Sequence, residues 1–392
     1  MNDSPPQWDA RFMALALALG RRALGRTWPN PAVGAVIVRN DGGEPVIVGR
    51  GVTQAGGRPH AETEALARAG AAARGATLYV TLEPCSHHGR TPPCADAVIA
   101  AGLARVVSAL EDPHPAVGGR GHARLRAAGI AVDVGLGATE ARRAHAGHIR
   151  CVRDGRPHVV LKLAVSADGK VGLAGRRPLA ITGELARARV HMMRAMSDAV
   201  LIGIGTALAD DPLLTCRLPG MQARSPVRVV LDSTLRIPLT SRLVATAGEV
   251  PLWMVTGASA PSGREHDLRA RGVDVLRVDQ RADKPDLPAA LAALAARGIT
   301  RVMVEGGPVV AAALVAADLV DEAMLVRSAI TVGADGIEAL EGMALTALTR
   351  SPRLNLIDVE ALGPDSAEFY ERPFNGASSA TGVREIQCSP ES

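Results

Sequence analysis

The stretch ATLYVTLEPCSHHGRTPPCADAVIA, residues 76–100, contains the pattern that decides the fold of the first half of the chain. Its first seven residues form a short apolar run with β-branched and aromatic side chains, which predicts a buried strand. A polar loop follows, and a helix is predicted to begin near Pro93. The loop therefore brings Cys85 and Cys94 to the start of a helix that follows a strand.

Strand and helix patterns alternate on both sides of this stretch. Further strands are predicted at 32–38, 45–51, 104–110 and 130–136, and helices at 9–24 and 60–73. Strands separated by helices of this length predict a mostly parallel sheet covered on both faces. A polar stretch at 137–157 precedes a second α/β pattern that continues to about residue 372. We expect two domains, 1–147 and 155–372, and a disordered tail at 373–392.

The composition narrows the class of protein. None of the apolar runs approaches the roughly 20 residues needed to cross a bilayer, and the early run FMALALAL precedes its arginine pair, unlike a signal peptide. Five cysteines in 392 residues do not resemble a secreted disulfide framework, so we expect a cytoplasmic protein with reduced thiols. A net charge of +4 and 2% aromatic residues favour phosphorylated small molecules over nucleic acid as ligands. We expect neither a nucleic-acid nor a membrane partner.

A second motif, HAETEAL (60–66), supplies a third possible metal ligand, His60, and a neighbouring carboxylate, Glu62. His60 with Cys85 and Cys94 makes a three-ligand zinc set whose fourth position is left for water, the arrangement of a catalytic site. Zinc lowers the pKa of bound water towards neutrality, and Glu62, two residues after the histidine, can shuttle the proton. This is the pattern of zinc-dependent nucleobase deaminases.

Two other interpretations of these residues remain open. A structural zinc site would close with a fourth protein ligand, which His87 or His88 could supply. A His-x-Glu pair also arises by chance. Neither alternative explains why Glu62, Pro84 and the two cysteines occur together between strand and helix.

The second half of the chain contains glycine turns that could bind a phosphorylated ligand. In residues 196–217 an apolar strand enters a Gly-x-Gly turn without the third glycine of a dinucleotide fingerprint, which is a weak signal. In 300–322 a strand ends at Glu305, two glycines follow, and Pro308 begins a helix whose free N–H groups could bind phosphate. A glycine turn without any ligand is the competing interpretation.

Eight residues, not two, separate the cysteines, and this loop makes a resemblance specific. PNPAVGAVIV (29–38), HAETEAL and TLEPCSHHGRTPPC (81–94) together resemble the deaminase half of the bifunctional riboflavin-biosynthesis deaminase/reductases. LKLAVSADGK (161–170), the stretch 194–217 and VEGGP (304–308) resemble the reductase half. The resemblance implies an α/β fold, with an N-terminal cytidine-deaminase-like α/β/α domain followed by a dihydrofolate-reductase-like α/β domain.

The resemblance also implies the chemistry. We expect zinc-dependent hydrolytic deamination of 2,5-diamino-6-(5-phosphoribosylamino)pyrimidin-4-one, followed by NADPH-dependent reduction of the ribosyl group to a ribityl chain. The implied cofactors are Zn²⁺ and NADPH, the implied partner is a phosphoribosylaminopyrimidine, and the implied assembly is a homo-oligomer, a dimer or a tetramer.

The family's site residues carry over position by position. In the deaminase half the zinc ligands are His60, Cys85 and Cys94, the proton shuttle is Glu62, and the substrate contacts are Asn30, His87 and Arg90. In the reductase half the NADPH contacts are Ala164, Ala180, Thr206, Asp210, Ser233, Gly306, Gly307 and Pro308. The substrate contacts there are Pro178, Arg194, Leu214, Arg217 and Glu305, and the arginines suit a phosphate.

Asp210 is the candidate general acid of the reduction. It follows a strand and turn that should face the cofactor, and burial under a cofactor could raise its pKa. Capping a helix or binding the cofactor ribose is the alternative role. Its neighbour Asp211 precedes Pro212, which favours an extended backbone and a different direction for the second carboxylate.

The sequence departs from the family's pattern at two places in the reductase half. Pro178 and Ala180 stand where the family has Ser and Trp, and 326–333 lacks the customary Ala-Pro.

Two other functions are possible for a chain with these motifs. A nucleic-acid-editing deaminase with an accessory domain would need a basic, aromatic-lined groove, which the composition does not supply. A non-catalytic zinc-stabilised scaffold would need four protein ligands and would tolerate loss of Glu62.

Overall fold

The structure, a computed structural model, describes residues 5–89, 92–115, 117–173, 175 and 179–374. Arg90, Pro178 and most of the expected tail, 375–392, lie outside the described residues. The described chain divides into two compact units between Gly155 and Arg156, each with its own sheet and core. No helix in the described ranges is long and apolar enough to cross a membrane.

The first unit is built on a five-stranded sheet with strand order β2-β1-β3-β4-β5. Its strands are β1 (Gly34–Arg39), β2 (Val46–Val52), β3 (Thr77–Val80), β4 (Arg105–Ser108) and β5 (Ala131–Val134). Strands β3, β4 and β5 are parallel, whereas β1 is antiparallel to both of its neighbours. The expectation of a mostly parallel sheet therefore misses the reversal of β1, which follows from the short connection between β1 and β2 because such connections join antiparallel strands.

Six α-helices of the described chain belong to this unit, and the sequence predicts the first three of them. They are α1 (Pro5–Ala23), α2 (Ala61–Ala69), α3 (Cys94–Ala100), α4 (Arg120–Ala127), α5 (Ala138–Ala144) and α6 (Ala146–Asp154). Two of them, α5 and α6, occupy the stretch 137–157, which we had expected to separate the domains. Helix α5 buries Ala141 and helix α6 buries Ala146, so this stretch packs as part of the first unit.

Close packing of α2 on β2 sets the position of His60. A side chain at Gly51 would place its Cβ 2.0 Å from the backbone oxygen of Ala61, so only glycine allows this approach. His60 is the N-cap residue of α2 and has an extended backbone. The motif histidine is therefore held where the helix meets the sheet.

The second unit contains a nine-stranded sheet with strand order β11-β10-β9-β8-β14-β6-β15-β18-β17. Its strands are β6 (His158–Val165), β8 (Ala199–Gly203), β9 (Val227–Leu231), β10 (Leu252–Gly257), β11 (Asp274–Val278), β14 (Arg301–Glu305), β15 (Glu322–Arg327), β17 (Asn355–Leu362) and β18 (Asp365–Glu371). The seven strands from β11 to β15 are parallel, and β18 and β17 continue the sheet in antiparallel fashion. The expected parallel α/β architecture is confirmed here.

The described part of this unit also contains two small ribbons and seven α-helices. The ribbons pair β7 (Lys170–Gly172) with β16 (Ile337–Glu338), and β12 (Gln280–Arg281) with β13 (Lys284–Pro285). The helices are α7 (Glu184–Ala195), α8 (Ile204–Asp210), α9 (Arg242–Ala245), α10 (Ser262–Arg269), α11 (Leu287–Ala296), α12 (Pro308–Ala316) and α13 (Thr346–Thr349). Because β6, β14 and β8 are adjacent and parallel, their carboxyl ends and the following turns share one edge of the sheet.

Candidate active sites

Three side chains from different elements of the first unit converge on one point. His60 begins α2, Cys85 lies in the loop after β3, and Cys94 is the first residue of α3. His60 Nδ1 lies 3.3 Å from Cys94 Sγ and 3.7 Å from Cys85 Sγ, and the three ligand atoms lie within 4.8 Å of one another. The three expected zinc ligands are thus brought together.

The spacing of these atoms fits a tetrahedral zinc ion. At the tetrahedral angle, Zn–N and Zn–S bonds of about 2.0 and 2.3 Å place a nitrogen and a sulfur ligand about 3.5 Å apart. Within the described part of the chain, the cluster contains no fourth His, Cys, Asp or Glu ligand. The donor set therefore fits a zinc ion that keeps one open position.

Hydrogen bonding within the cluster favours the thiolate form of one cysteine. A hydrogen bond from Cys94, together with one from His60, lowers the pKa of the Cys85 thiol to about 4 despite burial. The Cys94 backbone N–H also donates to Cys85 Sγ at 3.2 Å. Because the thiolate is the form of cysteine that binds a metal, this environment fits Cys85 to the predicted ligand role.

Glu62 lies in the first turn of α2, beside the cluster but not part of it. The residue is 3% exposed, and burial, reinforced by the nearby Cys85, raises the pKa of its carboxyl group to about 7. A group with a pKa near the ambient pH can both accept and release a proton. The position and the pKa of Glu62 both fit the proton-transfer role that the sequence predicts.

The expected substrate contacts of the first unit have different surroundings. Asn30 is half-buried, and its side-chain Nδ2 donates to the backbone oxygen of Gly57 at 3.1 Å. His87 and His88 are both exposed in the loop between the cysteines, and neither joins the described ligand cluster. Arg58, which sequence analysis did not single out, reaches this loop beside Gly89 and contributes positive charge near His60.

A second group of potential ligands, Glu83, Glu111 and His122, lies in the same unit. The Glu83 carboxylate already accepts four backbone N–H groups at 2.7 to 3.1 Å, donated by residues of the segment 112–122. Each carboxylate oxygen accepts two of these bonds, so little acceptor capacity is left for a cation. We assign Glu83 to holding this segment and not to a metal.

In the second unit, a buried ion pair lies at the carboxyl edge of the sheet. Glu305 ends β14, and the Arg194 guanidinium from α7 donates to both of its oxygens, at 2.5 and 2.7 Å. Burial would raise the pKa of Glu305, but Arg194 lowers it below its ordinary value. We expected the Arg194 guanidinium to bind a phosphate. In the structure it binds Glu305, which is also an expected substrate contact.

Lys162 adds a second cation that sequence analysis missed. It lies opposite Glu305 in the register of β6 and β14, and burial lowers the pKa of its ammonium group. His191 also faces this group, since its pKa is lowered by burial and by Arg194 and Arg217. A lysine inside the apolar strand HVVLKLAV was the signal that could have identified it.

The glycine turn after Glu305 meets the start of α8. Gly306 and Gly307 have φ values of 75° and 80°, and a Cβ on Gly307 would lie 3.0 Å from Thr206 Oγ1. Pro308 follows as the first residue of α12. The expected cofactor contacts therefore lie together in one cradle, formed by the backbone of Gly306 and Gly307 and the side chain of Thr206. The cradle leads into the start of α12, and the free N–H groups of a helix start can bind a phosphate.

The remaining expected contacts of the second unit are spread over several elements. Ala164 is half-buried on β6, Leu214 is buried with a φ of 56°, and Ser233 follows β9. Ala180 and Arg217 are exposed, and the Arg217 backbone N–H donates to His191 Nδ1 at 3.4 Å.

Asp210 and Asp211 point to different environments. Asp210 ends α8 and is exposed as a residue, yet partial burial of its carboxyl group raises the pKa. Asp211 Oδ1 accepts a hydrogen bond from the backbone N–H of Arg242 at 2.8 Å. The backbone of Asp211 is left-handed, with φ 39° and ψ 56°, so the extended conformation expected before Pro212 is wrong. Termination of α8 outweighs the local bias of the following proline.

Comparison with known proteins supports both halves of this description. The sequence profile of the cytidine and deoxycytidylate deaminase zinc-binding region matches residues 6–110, and that of the RibD C-terminal domain matches residues 157–367. The chain is 41% identical to riboflavin biosynthesis protein RibD of Escherichia coli strain K12 over 91% of this chain and 97% of that protein. It is 39% identical to RibD of Bacillus amyloliquefaciens over 90% and 94% of the two chains.

Solved structures agree over nearly the whole chain. Acinetobacter baumannii RibD, form 1, superposes with a TM-score of 0.82 at 34% identity, covering 94% of this chain and 99% of that one. The Thermotoga maritima diaminohydroxyphosphoribosylaminopyrimidine deaminase/5-amino-6-(5-phosphoribosylamino)uracil reductase gives 0.80 at 33% identity, covering 94% and 99%. The expected fold class, a deaminase domain followed by a reductase domain, is confirmed. The chain belongs to the RibD family, the bifunctional zinc-type deaminases and reductases of riboflavin biosynthesis.

Proposed function

We propose that the first unit hydrolytically deaminates 2,5-diamino-6-(5-phosphoribosylamino)pyrimidin-4-one, the substrate class that the name of the Thermotoga relative indicates. The observation that carries this proposal is the three-ligand cluster with the buried Glu62 beside it. In the reaction the C2–N bond of the pyrimidine breaks, the oxygen of a water molecule bonds to C2, and ammonia leaves.

His60, Cys85 and Cys94 would hold the zinc ion. Zinc bound there would supply the Lewis acidity that makes water a nucleophile near neutral pH. Glu62 accepts the proton that the attacking water loses and returns it to the departing amino group. Asn30, with His87 and Arg90 from the cysteine loop, would contact the substrate.

The test is release of ammonia from the diaminopyrimidine, measured together with zinc content. Glu62→Gln preserves shape but removes the proton shuttle, so we expect a fall in kcat of about 10²-fold or more with one zinc per chain retained. Glu64→Gln, on the same helix and paired with the exposed Arg68, is the matched control and should stay within about twofold. Near wild-type deamination by Glu62→Gln would contradict the mechanism.

We propose that the second unit then reduces the ribosyl group with NADPH. The cradle of Thr206, Gly306 and Gly307 would bind the cofactor, which supplies the hydride, and Ala164, Ala180, Ser233 and Pro308 would line its site. Arg194 orients the Glu305 carboxylate, and Lys162 places a further cation beside it. We propose that the phosphorylated sugar contacts Arg194, Glu305 and Lys162. It would also contact Leu214, Arg217 and Pro178.

Asp210 is proposed as the general acid, because partial burial raises the pKa of its carboxyl group. Asp210→Asn should lower the maximal reduction rate by about 10²-fold with little change in the KM for NADPH. Asp211→Asn, which alters the neighbouring carboxylate bonded to Arg242, is the control and should leave the rate unchanged. Weaker NADPH binding at an unchanged maximal rate would instead assign Asp210 to cofactor binding.

We further propose that the domain boundary falls near residue 155, after α6, and that the second domain extends to about 372. A cytoplasmic location is consistent with the need for reduced Cys85 and Cys94. A dimer or tetramer remains our expectation for the assembly, and analytical ultracentrifugation tests it.

A further inference from the structure

We propose that Gly57 is a positioning residue of the deaminase site, which fixes the direction of the Asn30 side-chain amide towards the pyrimidine. The inference rests on the proposed function, in which Asn30 contacts the substrate. Its basis is the segment 54–59, which lies against the turn that carries Asn30 and leads directly into His60.

Gly57 and Asn30 are in direct contact. Asn30 Nδ2 donates to the backbone oxygen of Gly57 at 3.1 Å. A Cβ on Gly57 would lie 2.3 Å from Nδ2, 2.8 Å from Cβ and 2.9 Å from Cγ of Asn30. These distances are far below van der Waals contact, so Asn30 keeps its position only because residue 57 has no side chain.

The backbone on both sides is held by its own hydrogen bonds. Gly57 N–H donates to the Gln54 oxygen at 2.9 Å, and Gln54 N–H donates to the Pro59 oxygen at 3.1 Å. Asn30 N–H donates to the Thr27 oxygen at 2.9 Å. Because moving either backbone would break these hydrogen bonds, a side chain at residue 57 must displace the Asn30 amide instead.

The chemistry of an amide makes its direction important for recognition. An amide side chain offers two N–H donors and one carbonyl acceptor, and one donor of Asn30 is used by Gly57. The bond to Gly57 therefore decides which side of the amide presents its oxygen. An aminopyrimidine has both donors and acceptors on its ring edge, so a turned amide would oppose like groups and leave polar atoms unpaired.

The neighbouring glycine provides a matched control. Gly56 has a φ of 73°, close to the 85° of Gly57, so alanine at either position meets a similar left-handed backbone strain. A Cβ on Gly56 would meet nothing within 4 Å. Gly56→Ala therefore introduces the strain without touching Asn30.

The experiment compares Gly57→Ala and Gly56→Ala, each in the wild-type and the Asn30→Gly background. Zinc content, deaminase KM and kcat, and reductase activity of the same full-length chains are measured. We expect Gly57→Ala to raise the deaminase KM at least tenfold while one zinc per chain and the reductase rate are retained. Gly56→Ala should change the KM less than threefold.

In the Asn30→Gly background all three clashing atoms are gone, so Gly57→Ala should add less than a twofold further change. If Gly57→Ala is insoluble, the Asn30→Gly background should restore soluble, zinc-loaded protein. Unchanged KM, loss of zinc, equal effects of the two glycines, or an undiminished effect without Asn30 would each overturn the inference. Absence of ammonia release by the wild-type protein would instead refute the proposed function.

Discussion

Replacing Glu83 by glutamine should destabilise the first unit although the residue is neither a zinc ligand nor a proposed substrate contact. The side chain of Glu83 is 1% exposed. Its Oε2 accepts the backbone N–H groups of Asp112 and Gly119, and its Oε1 accepts those of Gly121 and His122. Glutamine keeps the size but turns one oxygen into an NH₂ group. In either orientation two backbone N–H groups lose their acceptor, and these groups are buried on the Oε1 side and partly buried on the Oε2 side.

The magnitude follows from the two bonds lost. Each unsatisfied buried donor costs about 1–3 kcal/mol, so Glu83→Gln should cost about 2–6 kcal/mol. For a unit of this size, 1 kcal/mol lowers the unfolding midpoint by roughly 2–4 °C. Since Pro84 and the proposed zinc ligand Cys85 follow Glu83 directly, unfolding of this region should release zinc.

Thermal release of zinc to a chromogenic chelator measures this unit alone, because all three ligands belong to it. Glu111→Gln is the matched control, since Glu111 is an exposed member of the same cluster and should cost less than about 0.5 kcal/mol. A release temperature for Glu83→Gln within 1–2 °C of the wild type, on the order of the experimental error, would refute the reasoning.

Two further predictions concern buried charges. Arg194→Met leaves the buried Glu305 without its hydrogen-bonded partner, so it should lower the free energy of unfolding in urea by about 3–5 kcal/mol. It should also abolish reduction but not deamination. Adding Glu305→Gln should recover stability without activity, and no recovery of stability would contradict the pairing argument. For Glu62, burial raises the pKa from 4.5 to about 7 in the zinc-free protein. The native state then holds a proton that the unfolded state releases, so this contribution is present at low pH and is lost as pH rises through 7, by about 3 kcal/mol in full. Cys85, whose pKa is lowered, contributes a pH dependence of the opposite sign in both proteins, so the slope is measured as a difference. Between pH 5 and 8 the stability of the zinc-free wild type relative to zinc-free Glu62→Gln should fall by this amount in urea unfolding, and a difference that does not change with pH would disprove it.

The sequence by itself determined the parts of this protein that depend on local patterns. The strand–loop–helix order around Cys85 and Cys94 follows from short-range periodicity and proline placement, and the helix start at His60 follows from the motif in which it lies. Because ligand type and spacing constrain a zinc site strongly, three residues sufficed to predict a zinc site, and the structure brings their ligand atoms together.

Only the tertiary structure decided which distant residues meet. Lys162 lies beside Glu305 because β6 and β14 pair in a register that joins positions more than a hundred residues apart, and local periodicity contains no information on strand order. The same holds for the Arg194 fork on Glu305 and for the contact of Asn30 with Gly57. Asp211 shows that the fold can also override a local preference. The following proline favours an extended backbone, but Asp211 is left-handed because α8 ends there.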